Sequence, residues 1–235
     1  MIHAYYVWSD NVAKLHDQFK VFHKNFSQIQ FYPYKLINKW EHTEFGNKEW
    51  FHSLWQKTER ISHILGQTPN RYSLFIDIDV FIYNEKKLVD FLQKTAQDST
   101  FIAMQEDNRN EINSGFLWIK STPKNRKLFR DSSRILKWYN KLPSPMHKIY
   151  LWMNIRLTKL VLADQTLIND LIIRREIRPS LIGDKNCCWG KNEAKKHHLF
   201  HHAVCAKDQE EKISLLQNQY NKFQRLTTKS VLKEC

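Results

Sequence analysis

The stretch "RYSLFIDIDVFIY", residues 71–83, decides the reading of the whole chain. It carries a buried-looking apolar run and then places two acids, Asp77 and Asp79, near its far end. A strand alternates its side chains between faces, so a strand over 72–80 points both carboxylates one way and Ile76, Ile78 and Val80 the other. Two carboxylates in one small space repel each other and cost stability unless a proton or a cation comes between them. A single acid there would read as a solvated strand end; a pair reads as a site.

The flanking segments supply the fold. Upstream, Phe51, Leu54, Trp55, Thr58, Ile61, Ser62 and Leu65 recur at helical spacing within a predicted helix over 43–65, with Gly66 as its stop. The opposite side of that helix carries Lys57 and Arg60, three apart. Earlier still, "HAYYVW" (3–8) is a β-favouring run that enters the turn-former "SDN", and "IQFYPYKLI" (29–37) is a second strand. Downstream follow a helix near 85–96, a strand at "FIAMQ" (101–105), a turn at Gly115 leading into a strand within 112–122, and a helix started by Pro123. Segment 140–162 mixes a proline-bearing loop with apolar and basic residues and reads as a surface helix or lid. "ADQTLINDLII" (163–173) is helical, "REIRPSLI" (175–182) extended, and "HHLFHHAVCA" (197–206) a late strand. A last helix follows, striped by Ile213, Leu216, Tyr220 and Phe223, with Asp208 as N-cap and Glu211 completing a capping box, so Lys207 stands at a helix start. Alternating strands and helices predict an α/β fold: a mainly parallel sheet flanked by helices, with ligands at the carboxyl ends of the strands. The expected core includes Leu54, Ile61, Phe75, Ile76, Ile78 and Phe116.

Composition narrows the function. A chain of 235 residues, 42% hydrophobic, can build one large domain. Lys and Arg outnumber Asp and Glu by 37 to 24, a net charge of +13 that favours anionic partners: nucleotides, nucleic acid or a membrane surface. No apolar run is long enough to span a bilayer, and the N-terminus lacks a basic region followed by an apolar stretch, so a soluble cytoplasmic protein is expected. Cys187, Cys188, Cys205 and Cys235 do not make a disulfide framework and read as free thiols. A zinc site from Cys187, Cys188, His197, His201 and Cys205 lacks the Cys-x₂-Cys chelate of structural zinc.

Hard divalent cations such as Mg²⁺ or Mn²⁺ take carboxylate oxygens and complete their shell with substrate phosphates, so the two aspartates suggest a metal–diphosphate site. Lys207 at a helix start agrees, since free amides and an ammonium attract phosphate. At this point the residues resemble a family. "LFIDIDVFIY" is similar to the Asp-x-Asp segment of GT-A glycosyltransferases, and other segments follow in that group's order. These are Lys57 and Arg60 on the preceding helix, "NSGFLWIKS" at a strand entry, "ADQTLIND" at a helix start, and "FHHAVCAKDQEEK" with a late histidine. The likeness spans roughly residues 1–215, and in size and motif order it is to compact soluble glycosyltransferases of large algal viruses.

The resemblance implies a single GT-A-like, Rossmann-like domain, with a nucleotide-binding part over about 1–110 and an acceptor-side part over about 111–235. It implies Mn²⁺ or Mg²⁺, a UDP-sugar donor, a glycan or glycoprotein acceptor, no nucleic acid, and the host cytoplasm if the viral likeness holds. By position, Asp79 ligates the metal, Asp77 binds the donor ribose and supports the metal, and His202 contributes from the C-terminal segment. The chain departs from many relatives at Val204, where they carry Asn, and His201 is the alternative ligand; on a strand only one of the two histidines faces the site. The donor site is expected to draw on Trp8, Asp10, Lys57 and Arg60, on Ile78 between the acids, and on Asn113, Ser114 and Lys207. Tyr6 reads rather as core, and Ser114 reads equally as part of a plain turn. Asp164, beside Gln165, either binds sugar hydroxyls or N-caps its helix; with Glu106 it is a candidate base for an inverting reaction. Two rivals remain at this stage. A haloacid-dehalogenase-like phosphatase would use Asp77 as nucleophile, but Phe81 stands where that pattern has Thr or Val. A basic nucleic-acid-binding protein would use the charge and aromatics, without a recognisable binding module.

Overall fold

The structure, a computed structural model, describes residues 1–37, 48–106, 110–143, 146, 164–203 and 208–231, with side chains as far as 226. Strand β1 (Ile2–Trp8) leads through a 3-10 turn at Asp10–Val12 into helix α1 (Ala13–His23), then strand β2 (Ile29–Lys35). Helix α2 (Lys48–Gln67) buries Phe51, Thr58, Ile61, Ile64 and Leu65; the predicted 43–47 lies outside the described residues. It runs through Gly66, which faces open space, and ends where the Thr68 hydroxyl donates to the Ile64 carbonyl at 2.9 Å.

The predicted strand over 72–80 is broken. Strand β3 (Tyr72–Ile76) stops before the first aspartate, and β4 (Val80–Ile82) belongs to a different sheet. Between them the Val80 amide donates to the Asp77 carbonyl at 3.0 Å, closing a turn over Ile78 and Asp79, while the Asp77 amide donates to the Gly115 carbonyl at 2.8 Å. The two acids are neighbours because the backbone folds back, not because a strand alternates.

Helix α3 (Glu85–Thr95) starts on Asn84, whose side chain accepts from the Lys87 amide. Strand β5 (Phe101–Gln105) pairs with β6 (Ile112–Lys120), which already includes Asn113, Ser114 and Gly115. The expected turn at Gly115 is therefore strand. Asn169 clamps its first residue, accepting from the Ile112 amide at 2.9 Å and donating to its carbonyl at 3.0 Å. Helix α4 (Pro123–Asn140) has Pro in its first turn and Thr122 as its cap. Helix α5 (Asp164–Arg174) ends at Glu176, whose φ of 51° is left-handed, and only Ser180–Ile182 of the predicted extended run forms a strand, β7. Strands β8 (Cys187–Trp189) and β9 (Phe200–His202) follow, the latter three residues of the predicted 197–206. Helix α6 (Gln209–Val231) closes the chain, with the Asp208 carboxylate accepting from the Glu211 amide as a cap does. The predicted surface helix or lid lies largely outside the described residues.

Six strands form one sheet in the order β2-β1-β3-β6-β5-β7, mostly parallel, with β6 the antiparallel member. Helices cover both faces. Tyr6, Leu74 and Ile76 meet residues of α1, α3 and α6 on one side, and Phe75, Leu117 and Ile119 meet residues of α2, α4 and α5 on the other. Of the expected core, Leu54 is only half-buried; the rest are buried. A small sheet, β4-β9-β8, packs against this body through Phe116 and Phe200, whose rings stack at 4.3 Å. No described helix is long and apolar enough to cross a membrane.

Candidate active site

The sheet topology gathers the chemistry at one edge. β1 has β2 on one side and β3 on the other, so the chain reverses its winding direction between β1 and β3, where open α/β sheets hold ligands. Asp77 follows the carboxyl end of β3, Glu106 follows that of β5, and the antiparallel β6 begins between them with Asn113 and Ser114.

Asp77, Asp79 and His202 each place one ligand atom within 4.8 Å of the others. β9 alternates as a strand should. His201 points into the small sheet, fully buried, with Tyr83 Oη 3.0 Å from its Nδ1 and the Gly190 carbonyl 2.9 Å from its Nε2, and burial pushes its pKa down to about 4. Both its nitrogens are engaged, so His201 is not the ligand on this geometry. His202 turns the other way: its Nε2 lies 3.2 Å from Asp79 Oδ1, and its buried Nδ1 has no partner among the described residues.

The other Asp79 oxygen, Oδ2, accepts from Lys212 on the first turns of α6. Burial works to raise the Asp79 pKa, but His202 and Lys212 outweigh it and hold the carboxyl well below its usual range. Lys212 was not anticipated from the sequence, where Lys207, five residues earlier, was the expected cation; Lys207 lies outside the described residues. The available signal was position: Lys212 follows the cap Asp208 by four residues, and its amide donates to the Asp208 carbonyl, so it rides the helix's opening turn.

Lys57 holds the second half of the site. Its ammonium lies 2.8 Å from Asp77 Oδ1, 3.3 Å from Asp164 Oδ2 and 3.3 Å from Ser114 Oγ. Burial favours its neutral form, yet Asp164 and Asp77 together outweigh that and raise its pKa. Ser114 Oγ donates to Asp164 Oδ2 at 3.1 Å. Beyond it, Glu106 Oε2 accepts from Asn113 Nδ2 at 2.6 Å and Gln165 Nε2 at 2.8 Å, which turns the amide oxygens of Asn113 and Gln165 toward the Gly115 and Ser114 amides. The motifs read separately along the sequence thus form one connected polar network.

Four expected residues lie apart from it. The Arg60 guanidinium sits 4.6 Å from the centre of the Tyr34 ring, not on an acid. Trp8 stacks on His16 at 4.0 Å, and Asp10 pairs with Lys35 at 2.6 Å, both near the carboxyl end of β1. Ile78 is buried at the crest of the turn as part of the core. Tyr6 is core, as expected, its hydroxyl 3.0 Å from His16 Nε2. Among the described residues Cys187 and Cys188 join no metal cluster: the Cys187 thiol faces the Ile182 and Gly183 carbonyls and the Cys188 thiol donates to the Asn192 carbonyl, both free and buried, while Cys205 lies outside the described residues.

No protein-family model matches the sequence, and no curated protein matches it. Solved structures do match. A glycosyltransferase involved in the glycosylation of the major capsid of PBCV-1 superposes with a TM-score of 0.51 at 13% identity, covering 92% of this chain and 100% of that one. The apo-form glycosyltransferase GlyE of Streptococcus pneumoniae TIGR4 gives 0.54 at 12% identity, over 98% of this chain and 64% of that one. The fold is GT-A-like. Identities this low carry the fold alone, and function resides in the side chains set on it.

Proposed function

We propose that this chain is a metal-dependent glycosyltransferase, moving a sugar from a nucleoside-diphosphate donor, UDP-linked, to a carbohydrate acceptor. The observation that carries the reading is the convergence of Asp77, Asp79 and His202 within 4.8 Å at the ligand edge of a glycosyltransferase fold. The donor set fits a divalent cation: two carboxylates supply the oxygens that Mn²⁺ and Mg²⁺ take, and the one imidazole favours the transition ion Mn²⁺ over Mg²⁺. The His202 Nδ1, buried without a partner among the described residues, and the close seat of its ring against Gly115 support the same fit. Asp77, Asp79 and His202 would hold the ion, which supplies Lewis-acid stabilisation of the departing diphosphate.

The remaining work falls to the chain's own residues. Lys57 keeps Asp77, Asp164 and Ser114 in fixed positions, so the donor's sugar side meets a preorganised surface and not mobile carboxylates. Lys212 brings an ammonium to Asp79 and stands where it can also meet negative charge growing on a leaving phosphate. Asp164 and Glu106 are the acceptor-side carboxylates, each tied down through one oxygen and able to receive a hydroxyl proton or a sugar hydrogen bond through the other. Trp8 and Asp10, at the end of β1, are proposed for the nucleoside, and Asn113 for the sugar.

Calorimetric titration of UDP into the wild type and Asp79→Ala, with and without Mn²⁺, tests this. Metal-dependent binding that disappears in the variant is expected. No UDP binding by the wild type in either condition, or binding unchanged in Asp79→Ala, would overturn the proposal.

A further inference from the structure

The solvent side of α4 and its exit carries Lys124, Lys127, Arg130, Arg134, Lys137 and Lys141, all exposed. Steps of three and four place them along one stripe of the helix. The inner side is taken by packing on α2 and α5 through Leu128, Phe129 and Leu136. The one acid within the helix, Asp131, pairs with Arg175 and also lies 3.9 Å from Arg130 of the stripe. Of the six cations, Lys137 approaches an acid on a neighbouring element, Glu59, at 4.0 Å, and Lys124 donates to the Glu176 carbonyl at 3.0 Å. Flanking the cationic stripe on one side stand two exposed apolar side chains, Trp138 at 55% and Ile135 at 37% of their full exposure.

We infer that this face of α4 docks on an anionic lipid bilayer, with its cations on the headgroups and Trp138 and Ile135 at the polar–apolar boundary. The combination of clustered cations with an exposed Trp matches an interface that is negatively charged above and apolar just beneath. A nucleic acid would reward the charge but give the isoleucine nothing to bury against.

The topology adds an orientation. β6 runs away from the site and α4 returns, so the carboxyl end of α4, with Ile135, Trp138 and Lys141, comes back toward the ligand edge. There Asn140 Nδ2 lies 3.0 Å from His52 Nδ1, on α2 one and a half turns before Lys57. A bilayer seated on that end would lie at the same edge of the sheet as the polar network. This goes beyond the transferase reading, because binding to a surface requires neither donor nor metal.

Sedimentation with vesicles tests it, comparing phosphatidylcholine alone with phosphatidylcholine containing phosphatidylglycerol, for the wild type, Lys127→Glu/Arg134→Glu and Trp138→Ser. The wild type is expected to sediment with the anionic vesicles only and to be released by raising salt from about 0.1 M. The double reversal should weaken partitioning at least about tenfold, and Trp138→Ser should weaken it several-fold at unchanged charge. Absence of wild-type binding to the anionic vesicles overturns the proposal. So does equal binding by the double variant, or by Trp138→Ser, which would leave only a soluble polyanion as partner. All three changes are on solvent-facing positions; should the double variant not fold, the salt release and Trp138→Ser decide alone.

Discussion

A β-carbon added at Gly115 would lie 2.3 Å from His202 Cε1, 2.9 Å from His202 Nδ1 and 2.9 Å from Asn113 Oδ1. The imidazole is buried between β6 and the turn that carries Asp79, so it cannot swing away without leaving Asp79. Gly115→Ala should therefore act at two levels. Overpacking of this kind costs about 1–3 kcal/mol, read as a lower urea midpoint. The displaced His202 should also lose its place beside the two aspartates, so Mn²⁺-dependent UDP affinity is expected to fall at least about tenfold, the range in which disturbed metal shells lie. An unchanged Mn²⁺ titration in Gly115→Ala would remove His202 from the ligand set. Glycine here has a packing reason in the tertiary structure, although in the sequence it looks like a turn residue.

At the scale of elements, His23 joins α1 to β4. Its Nδ1–H donates to the Phe19 carbonyl at 2.9 Å, and its Nε2 accepts from the Ile82 amide at 3.2 Å, which fixes the neutral tautomer. Burial among Phe19, Phe22, Phe26 and Phe81 lowers its pKa to about 3. A proton on Nε2 would break the bond to β4. Above about pH 6.5 both folded and unfolded chains carry the ring neutral and its stability contribution is complete; as pH falls toward 3, only the unfolded chain takes up the proton. The free energy of unfolding should decline across that window, by at most about 1.4 kcal/mol per pH unit from this group. Burial also lowers the pKa of His198 and His201 to about 4, so the comparison needed is wild type against His23→Gln: urea titrations at several pH values should give a shallower decline for the variant. Equal slopes would mean that His23 is not held neutral.

Across the whole molecule, the site depends on the docking of two sheets. Asp77 belongs to the end of the large sheet, while His202 sits on β9 of the small one, and Asp79 joins them through the turn into β4. The fully buried Phe116 and Phe200 rings, stacked at 4.3 Å and 4° from parallel, hold the two sheets in register two residues from His202. Phe200→Ala should cost about 3–5 kcal/mol. It should also weaken Mn²⁺-dependent UDP binding under conditions where circular dichroism still reports a folded protein. Stability lost without any change in binding would mean that the small sheet keeps its place by other contacts.

What the sequence determined by itself follows from local physics. Apolar period and helix-start residues located most elements, because burial and orphan amides are decided within a few residues; Pro123 opens α4 and Asp208 caps α6 as read. Period two in β9 meant that only one of His201 and His202 could face the aspartates; the packing of the two sheets decided that it is His202. The two carboxylates were legible as a candidate site because residues two apart stay close in space whether the backbone between them runs as strand or as turn. Other features were decided only by the tertiary structure. The break after Ile76 arises because the Val80 amide turns back onto the Asp77 carbonyl and Val80–Ile82 pair with β9, far along the chain, in the small sheet. Asn113–Gly115 are strand because β5 and Asn169 hold them, and no local signal records either partner. Lys212 reaches Asp79 across more than half the chain, and Arg60, a helical turn from Lys57, meets a tyrosine instead of an acid. Which acid a lysine meets is set by how sheet and helix are stacked, and that stacking is fixed only when the whole core closes.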